Sequence, residues 1–386
     1  MPLPADSPLL PLPDIDLRHL QRLTDDTGIY QHAVFATPDA NHGYCIDDNA
    51  RALIAGLLYA DLHGLDESAT PLHTYLNFIA YAYNADTKQF RNFMAFDRSW
   101  LEDSGSHDSQ GRNIWAMGLT AKLGPTESIR GLGRDLFAKA LPALDGLNFI
   151  RSWAFSLLGI DAYLDAVPDD AGCAATFEQY AVKLFDAYTA HAEDDWPWWE
   201  DEATYDNAKL PHALLIAGKR LQREDMTAAG LTSLRWLLDQ QLATGDDGTP
   251  HLSIIGNQGW LQRGKPRAPF DQQPLEAYAL VDACLTAARA TQSTPKPRAA
   301  EPLPGGDKAP DPTFTTPTHW EASARLCYDW FTGKNDLGIL MLDPETGGGK
   351  DGLNADGPNQ NQGAESSLAP LLATLEMHRY AAEASL

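Results

Sequence analysis

The sequence predicts an all-α fold of the (α/α)6 type, a toroid of six inner and six outer helices. Three observations predict it. Six segments share one plan, a turn with an acidic or amide residue followed by a helix apolar on nearly every face. Six amphipathic stretches alternate with them. β-rich runs are scarce. A helix that is apolar all round is buried on all sides, whereas an amphipathic one keeps a solvated face. Regular alternation of the two kinds describes an inner ring sheathed by an outer one.

The elements follow in order. The outer stretch 14–23 precedes inner segment 47–58, and 70–83 precedes 108–118. Next come 128–141 with 148–159, and 174–190 with 206–215. The last two pairs are 225–242 with 271–280, and 318–331 with 365–373. In the fifth outer stretch Leu231, Leu234, Leu237 and Leu238 recur at helical spacing, with Arg235 and Asp239 off that face. Ala, Gly and Ser in the inner segments permit close packing. Pro211, Pro274 and Pro370 are expected in first turns, where a missing N–H costs little. Residues 249–255 read as a short hairpin arm.

Two segments break the pattern. Residues 1–13 hold five prolines and read as an extended arm. Residues 292–318 hold seven prolines and Gly305-Gly306, and read as a loop inserted in the ring. The 386-residue length allows two or three domains. The repeat favours one catalytic domain over 14–386, because the sixth pair lies beyond the insertion and is needed for closure.

Composition narrows the function. Against 53 Asp and Glu stand 29 Lys and Arg, a net charge of −24. Such a chain repels nucleic acid phosphates and anionic membrane surfaces. Neither partner is expected, and no membrane span is expected either, since 18 apolar residues never run together. The start lacks the charged and apolar regions of a signal peptide. The four cysteines show no zinc spacing, which suits a reducing cytoplasm. No metal or cofactor motif stands out: Gly347-Gly348-Gly349 lacks the strand and the Gly-Lys-Ser/Thr of a phosphate loop, and the Asp-rich 343–356 segment lacks EF-hand spacing.

Parallel inner helices would gather their N-terminal ends at one mouth, with Asp47, Asp48, Asp108, Glu200, Asp201, Asp206, Asp271, Asp336 and Glu365 in the loops there. Like charges in one cleft push each other's pKa values apart, which separates an acid from a base. The plainer role of any one of these residues is a helix N-cap. Trp196-Pro197-Trp198-Trp199, bracketed by acids, offers flat faces for sugar rings. The segments around Arg91 and Arg112 suit hydrogen bonds to hydroxyls, or ion pairs that fix the mouth carboxylates.

These residues resemble known families. The toroid with carboxylates at its mouth is similar to the (α/α)6 glycoside hydrolases, and the tandem Asp47-Asp48 to that of bacterial α-mannanases. The stretch from His42-Gly43-Tyr44 to Asp47-Asp48-Asn49-Ala50-Arg51-Ala52 resembles a bacterial family found beside or fused to glycosyltransferases. Its motifs are matched by Arg91-Asn92-Phe93, Trp196 to Glu200, Thr204 to Ala208, Phe270 to Pro274 and Gly363 to Ser366. The family's motifs assign no reaction, but the similarity to the glycoside hydrolases implies a glycosidase, inverting, and the net charge favours a neutral oligo- or polysaccharide as its substrate.

The expected acid and base come from Asp48, Glu200 and Asp271, supported by Asp47. Substrate binding is assigned to His42, Tyr44, Arg91, Asp108, Arg112, Trp196, Trp199, Tyr205, Asp206, Asn207, Gln272 and Glu365. Two other readings stay open. One is a sugar epimerase or isomerase using His42, His212 or His251. The other is a catalytically silent, glycan-binding partner of a glycosyltransferase.

Overall fold

The computed structural model describes residues 3, 4, 6–292 and 316–384. The inner helices are α2 (Ile46–His63), α4 (His107–Leu123), α6 (Ile150–Ala166), α8 (Lys209–Leu221), α10 (Pro274–Gln292) and α12 (Ala364–Glu383). The outer ones are α1 (Arg18–Leu23), α3 (Leu72–Ala82), α5 (Glu127–Ala140), α7 (Ala171–His191), α9 (Glu224–Gln241) and α11 (Pro317–Asp329). Each inner helix packs on the next, and α12 packs on α2. The ring is closed, and the fold is an (α/α)6 toroid. Outer helices α3, α5, α7, α9 and α11 lie on the inner helix before them, and α1 lies on α12.

Burial follows the sequence pattern. In α2 every residue from Ile46 to Leu58 is buried except Asp47. In α5 only Ile129, Gly133, Leu136, Phe137 and Ala140 are buried, the single stripe of an amphipathic helix. The first outer helix is shorter than expected, because Pro13, Asp14 and Asp16 lie outside it and only six residues are helical. Residues 250–252 pair with 242–244 in the expected hairpin.

The closest approach in the ring is that of α4 to α6. A methyl group on Gly118 would stand 1.9 Å from the Gly159 carbonyl oxygen, and one on Gly159 would stand 2.3 Å from that of Ile114. Only glycine lets these backbones meet. Pro370 departs from expectation: it lies in the second turn of α12, not the first. Its missing N–H leaves the Ser366 carbonyl without a helical donor, and Gly349 packs there, where a side chain would stand 2.0 Å from that oxygen. The triple glycine thus serves close packing.

The N-terminal arm is tied down. Ser7 donates to Glu321 at 3.0 Å, Arg325 donates to the Pro11 carbonyl at 2.6 Å, and Leu9 is fully buried. The proline-rich insertion lies almost wholly outside the described residues. No helix among the described residues is long and apolar enough to cross a membrane.

Helix propensity alone would make Gly118→Ala stabilising by about 1 kcal/mol. The α4–α6 contact predicts the opposite, a loss of about 2–3 kcal/mol from overpacking, seen as a lower urea midpoint. Gly131→Ala in α5 would meet the flexible Arg134 side chain at an ordinary 3.8 Å contact and should be neutral or stabilising.

Candidate active site

The N-terminal ends of all six inner helices meet at one mouth, and their dipoles favour anionic groups there. The carboxylates at these ends are not caps. Among the inner helices whose cap is defined, the cap residues are Cys45, Ser106, Phe149, Ala208 and Gly363, and only Ser106 accepts a helix N–H through its side chain. The acids sit inside the first turns or in the loops, free for other work.

A cavity of about 310 Å³ opens at this mouth. Its charged lining is Asp47 and Arg51 from α2, Asp108 and Arg112 from α4, Glu276 from α10 and Glu365 from α12. Tyr205, Thr204, Asn257 and Gln273 add polar surface, and Ile255 and Leu275 add apolar surface.

Three buried arginines organise these acids. Arg51 donates to Asp48 at 2.8 Å and pairs with Glu365 at 2.6 Å. Burial opposes its charge, but Glu365, Asp48 and Asp47 together carry its pKa above the ordinary value. Arg112 pairs with Asp206 at 3.2 Å, stands 4.0 Å from Asp47, and lies over the Phe155 ring. Arg151 pairs with Glu200 at 2.8 Å and donates to the carbonyl of Tyr205 and to Asn207.

Glu276 closes the network from the opposite side. It accepts the backbone N–H of Asp206, and it accepts both the N–H and the side-chain amide of Asn207 at 3.2 Å. These bonds hold Asp206 in a left-handed turn (φ 47°) that turns it toward Arg112. Burial and the Asp206 carboxylate push the Glu276 pKa up to about 7, against the pull of the two backbone N–H groups. Asp48 is also pushed up to about 7, chiefly by burial, with Arg51 opposing and Glu365 and Asp47 reinforcing.

The structure brings some of the expected residues together and not others. Asp47, Asp108, Arg112, Tyr205 and Glu365 line the cavity. Asp48, Asp206 and Asn207 stand directly behind them as partners of Arg51, Arg112, Arg151 and Glu276.

Two proposed acids lie elsewhere. Glu200 is the anchor of Arg151. Asp271, at φ 65°, accepts from Gln273 at 2.8 Å, so it holds a cavity residue without lining the cavity.

The tryptophans are not sugar platforms. Trp196 and Trp199 are buried, their indole N–H groups donate to the carbonyls of Glu200 and Leu184, and they pack on Trp236 and Tyr188 between α7 and α9. Gln272 is fully buried, bridging Trp330, Asp336 and the Pro269 carbonyl. Tyr44 is buried and donates to Asp25 at 2.6 Å. Arg91 lies over Trp100. His42 is exposed beside Asp39 and His32.

Arg51 and Glu276 were not singled out as site residues. Signals existed for both. Arg51 follows Asp47 and Asp48 at i+4 and i+3, where helical side chains meet. Glu276 is the third residue of a helix opened by Pro274, the position of a capping-box acid. Among the described residues no group of three or more His, Cys, Asp or Glu is arranged to hold a metal ion.

No family model matches the sequence, and no curated protein matches it significantly. In fold the chain is similar to two groups of solved structures. A sugar epimerase from a ruminal bacterium has a TM-score of 0.65 at 12% identity, covering 97% of this chain and 96% of the epimerase. Cellobiose 2-epimerase from Bacillus thermoamylovorans has a TM-score of 0.66 at 12% identity, covering 93% and 95%. The GH76A α-1,6-mannanase of Salegentibacter sp. has a TM-score of 0.55 at 12% identity, covering 94% and 96%. Identities this low establish the toroid and leave the chemistry to the site.

The raised pKa of Glu276 has a consequence for stability. Between about pH 4.5 and 7 the unfolded chain has released this proton while the folded chain keeps it, so folding weakens as pH rises through that window. Glu276→Gln cannot ionise. Its stability relative to the parent should improve from pH 4.5 to 7.5, as read from urea midpoints. A constant difference would mean that Glu276 is ionised throughout.

Proposed function

We propose that the chain is a glycoside hydrolase acting on a neutral oligo- or polysaccharide with inversion, with Glu276 as general acid and Asp47 as general base. The carrying observation is that both line one cavity and that burial and Asp206 push the Glu276 pKa up to about 7, which suits a carboxyl that must deliver a proton near neutral pH. A carboxyl has about four acceptor positions, and three are filled from the Asp206–Asn207 turn. The remaining one is available for a proton shared with the leaving oxygen. In an inverting enzyme the second carboxylate activates a water on the far side of the sugar ring. Asp47 comes from α2, separated from α10 by α12, and its Oδ1 has no hydrogen-bond partner.

This pair replaces the one expected from sequence, and gives Asp48 the task of holding Arg51. The place of Asp47 in it draws support from a mannanase of the same fold: a variant of the Salegentibacter enzyme with two consecutive aspartates replaced is described as inactive and was solved with α-1,6-mannotetrose. The tandem Asp47-Asp48 opens α2 here. The four cysteines, all buried and unpaired, suit a cytoplasmic setting.

An epimerase or isomerase is the second reading, favoured by the fold neighbours and by the His32–His42 ring contact at 4.5 Å. The other two histidines fit it less well. His212 is buried against Asp282 and Thr286, where burial lowers its pKa to about 4. His251 is tied to Asp336 at 3.1 Å. Among the described residues lining the cavity there is no imidazole. A silent partner of a glycosyltransferase would show binding without turnover.

On a glycan that the parent cleaves, Asp47→Asn and Glu276→Gln should each lower kcat about 10²- to 10⁴-fold. Glu276→Gln should keep far more of its rate on an aryl glycoside whose leaving group needs no proton. Parental activity in either variant would refute the assignment.

A further inference from the structure

Two exposed aromatic side chains, Tyr205 and Phe149, connect to the Asp108 wall of the cavity. Tyr205 lines the cavity and is 39% exposed. Its ring is fixed from two sides: the hydroxyl donates to Asp108, and Arg151 lies over one face, 4.8 Å from the centroid. Phe149, the residue before α6, is 62% exposed and connects to the same wall through His107. The Phe149 ring meets the edge of His107 at 5.3 Å, and His107 Nδ1 accepts the Asn148 N–H at 3.3 Å. His107 opens α4 and immediately precedes Asp108.

A phenylalanine so exposed contributes little to the core. Single exposed apolar residues need no explanation, but this one is braced by His107, whose chain neighbour Asp108 lines the polar cavity and holds the Tyr205 hydroxyl. Rigid aromatic rings offer large contact area at low entropy cost. Their flat faces match the C–H faces of pyranose rings, while His107 and Asp108 supply polar edges for hydroxyls.

We infer that the ledge of Tyr205, Phe149 and His107 binds a further sugar ring of the chain held in the cavity, so that the substrate is engaged through at least two sugar units and is not a free monosaccharide. The inference rests on the reading that the cavity takes sugar.

The test uses Asp47→Asn protein, which retains the cavity and should turn over about 10²- to 10⁴-fold more slowly than the parent. A panel of neutral oligosaccharides of one to six units is screened, and calorimetry on the binding series gives affinity against length. Affinity should rise beyond one unit. Adding Phe149→Ala should weaken the longer ligands about 3- to 10-fold and the monosaccharide much less. Tyr205→Phe, which keeps the ring, should preserve the length dependence. Affinity independent of length, or an equal loss for all lengths in the Phe149→Ala protein, would overturn the ledge while leaving the sugar site standing. Binding of no glycan at all would overturn both.

Discussion

Arg51, Arg112 and Arg151 are buried at the starts of three successive inner helices, and the mouth is arranged around them. A buried guanidinium without partners is too costly to persist, so each must be met by carboxylates or carbonyls. The carboxylates in turn would repel one another without the arginines and the helix dipoles. The result is a linked set: Asp48 and Glu365 on Arg51, Asp206 and Asp47 about Arg112, and Glu200 and Asn207 on Arg151. Glu276 reaches this set from α10 by seizing the Asp206–Asn207 turn. Its hold on that left-handed turn ties the α10 side of the cavity to the turn that opens α8.

The architecture was legible in the sequence because helix burial leaves a periodic trace. Continuous apolar runs such as 46–58 mark inner helices, and stripes such as that of α5 mark outer ones. The site was legible only in part. The tandem Asp47-Asp48, Asp108 and Glu365 lie in first turns and Arg112 one turn further in, so knowing the helices meant knowing that these residues share a mouth.

Loop residues were misread for a physical reason. Composition cannot tell a tryptophan that faces solvent from one that fills the space between two outer helices, as Trp196 and Trp199 do. Nor can it tell a free acid from one that anchors an arginine, as Glu200 does. Glu276 escaped because a glutamate in a first turn is ordinary capping material until the Asp206 turn is seen to deliver N–H groups to it.

A single toroid carries both epimerases and mannanases among the structures this chain resembles. The fold supplies a mouth ringed by helix starts, and the chemistry depends on which side chains stand there. Carboxylates and arginines line this cavity, with no imidazole among its described lining residues.

Proton NMR of the purified protein turning over an oligosaccharide in D₂O tests the central claim most directly, because it follows bond and carbon together. The account predicts a new reducing end, first formed with the anomeric configuration opposite to that of the cleaved bond, and no deuterium on carbon. Deuterium entering a sugar C–H position with no new reducing end would contradict it and make the protein an epimerase.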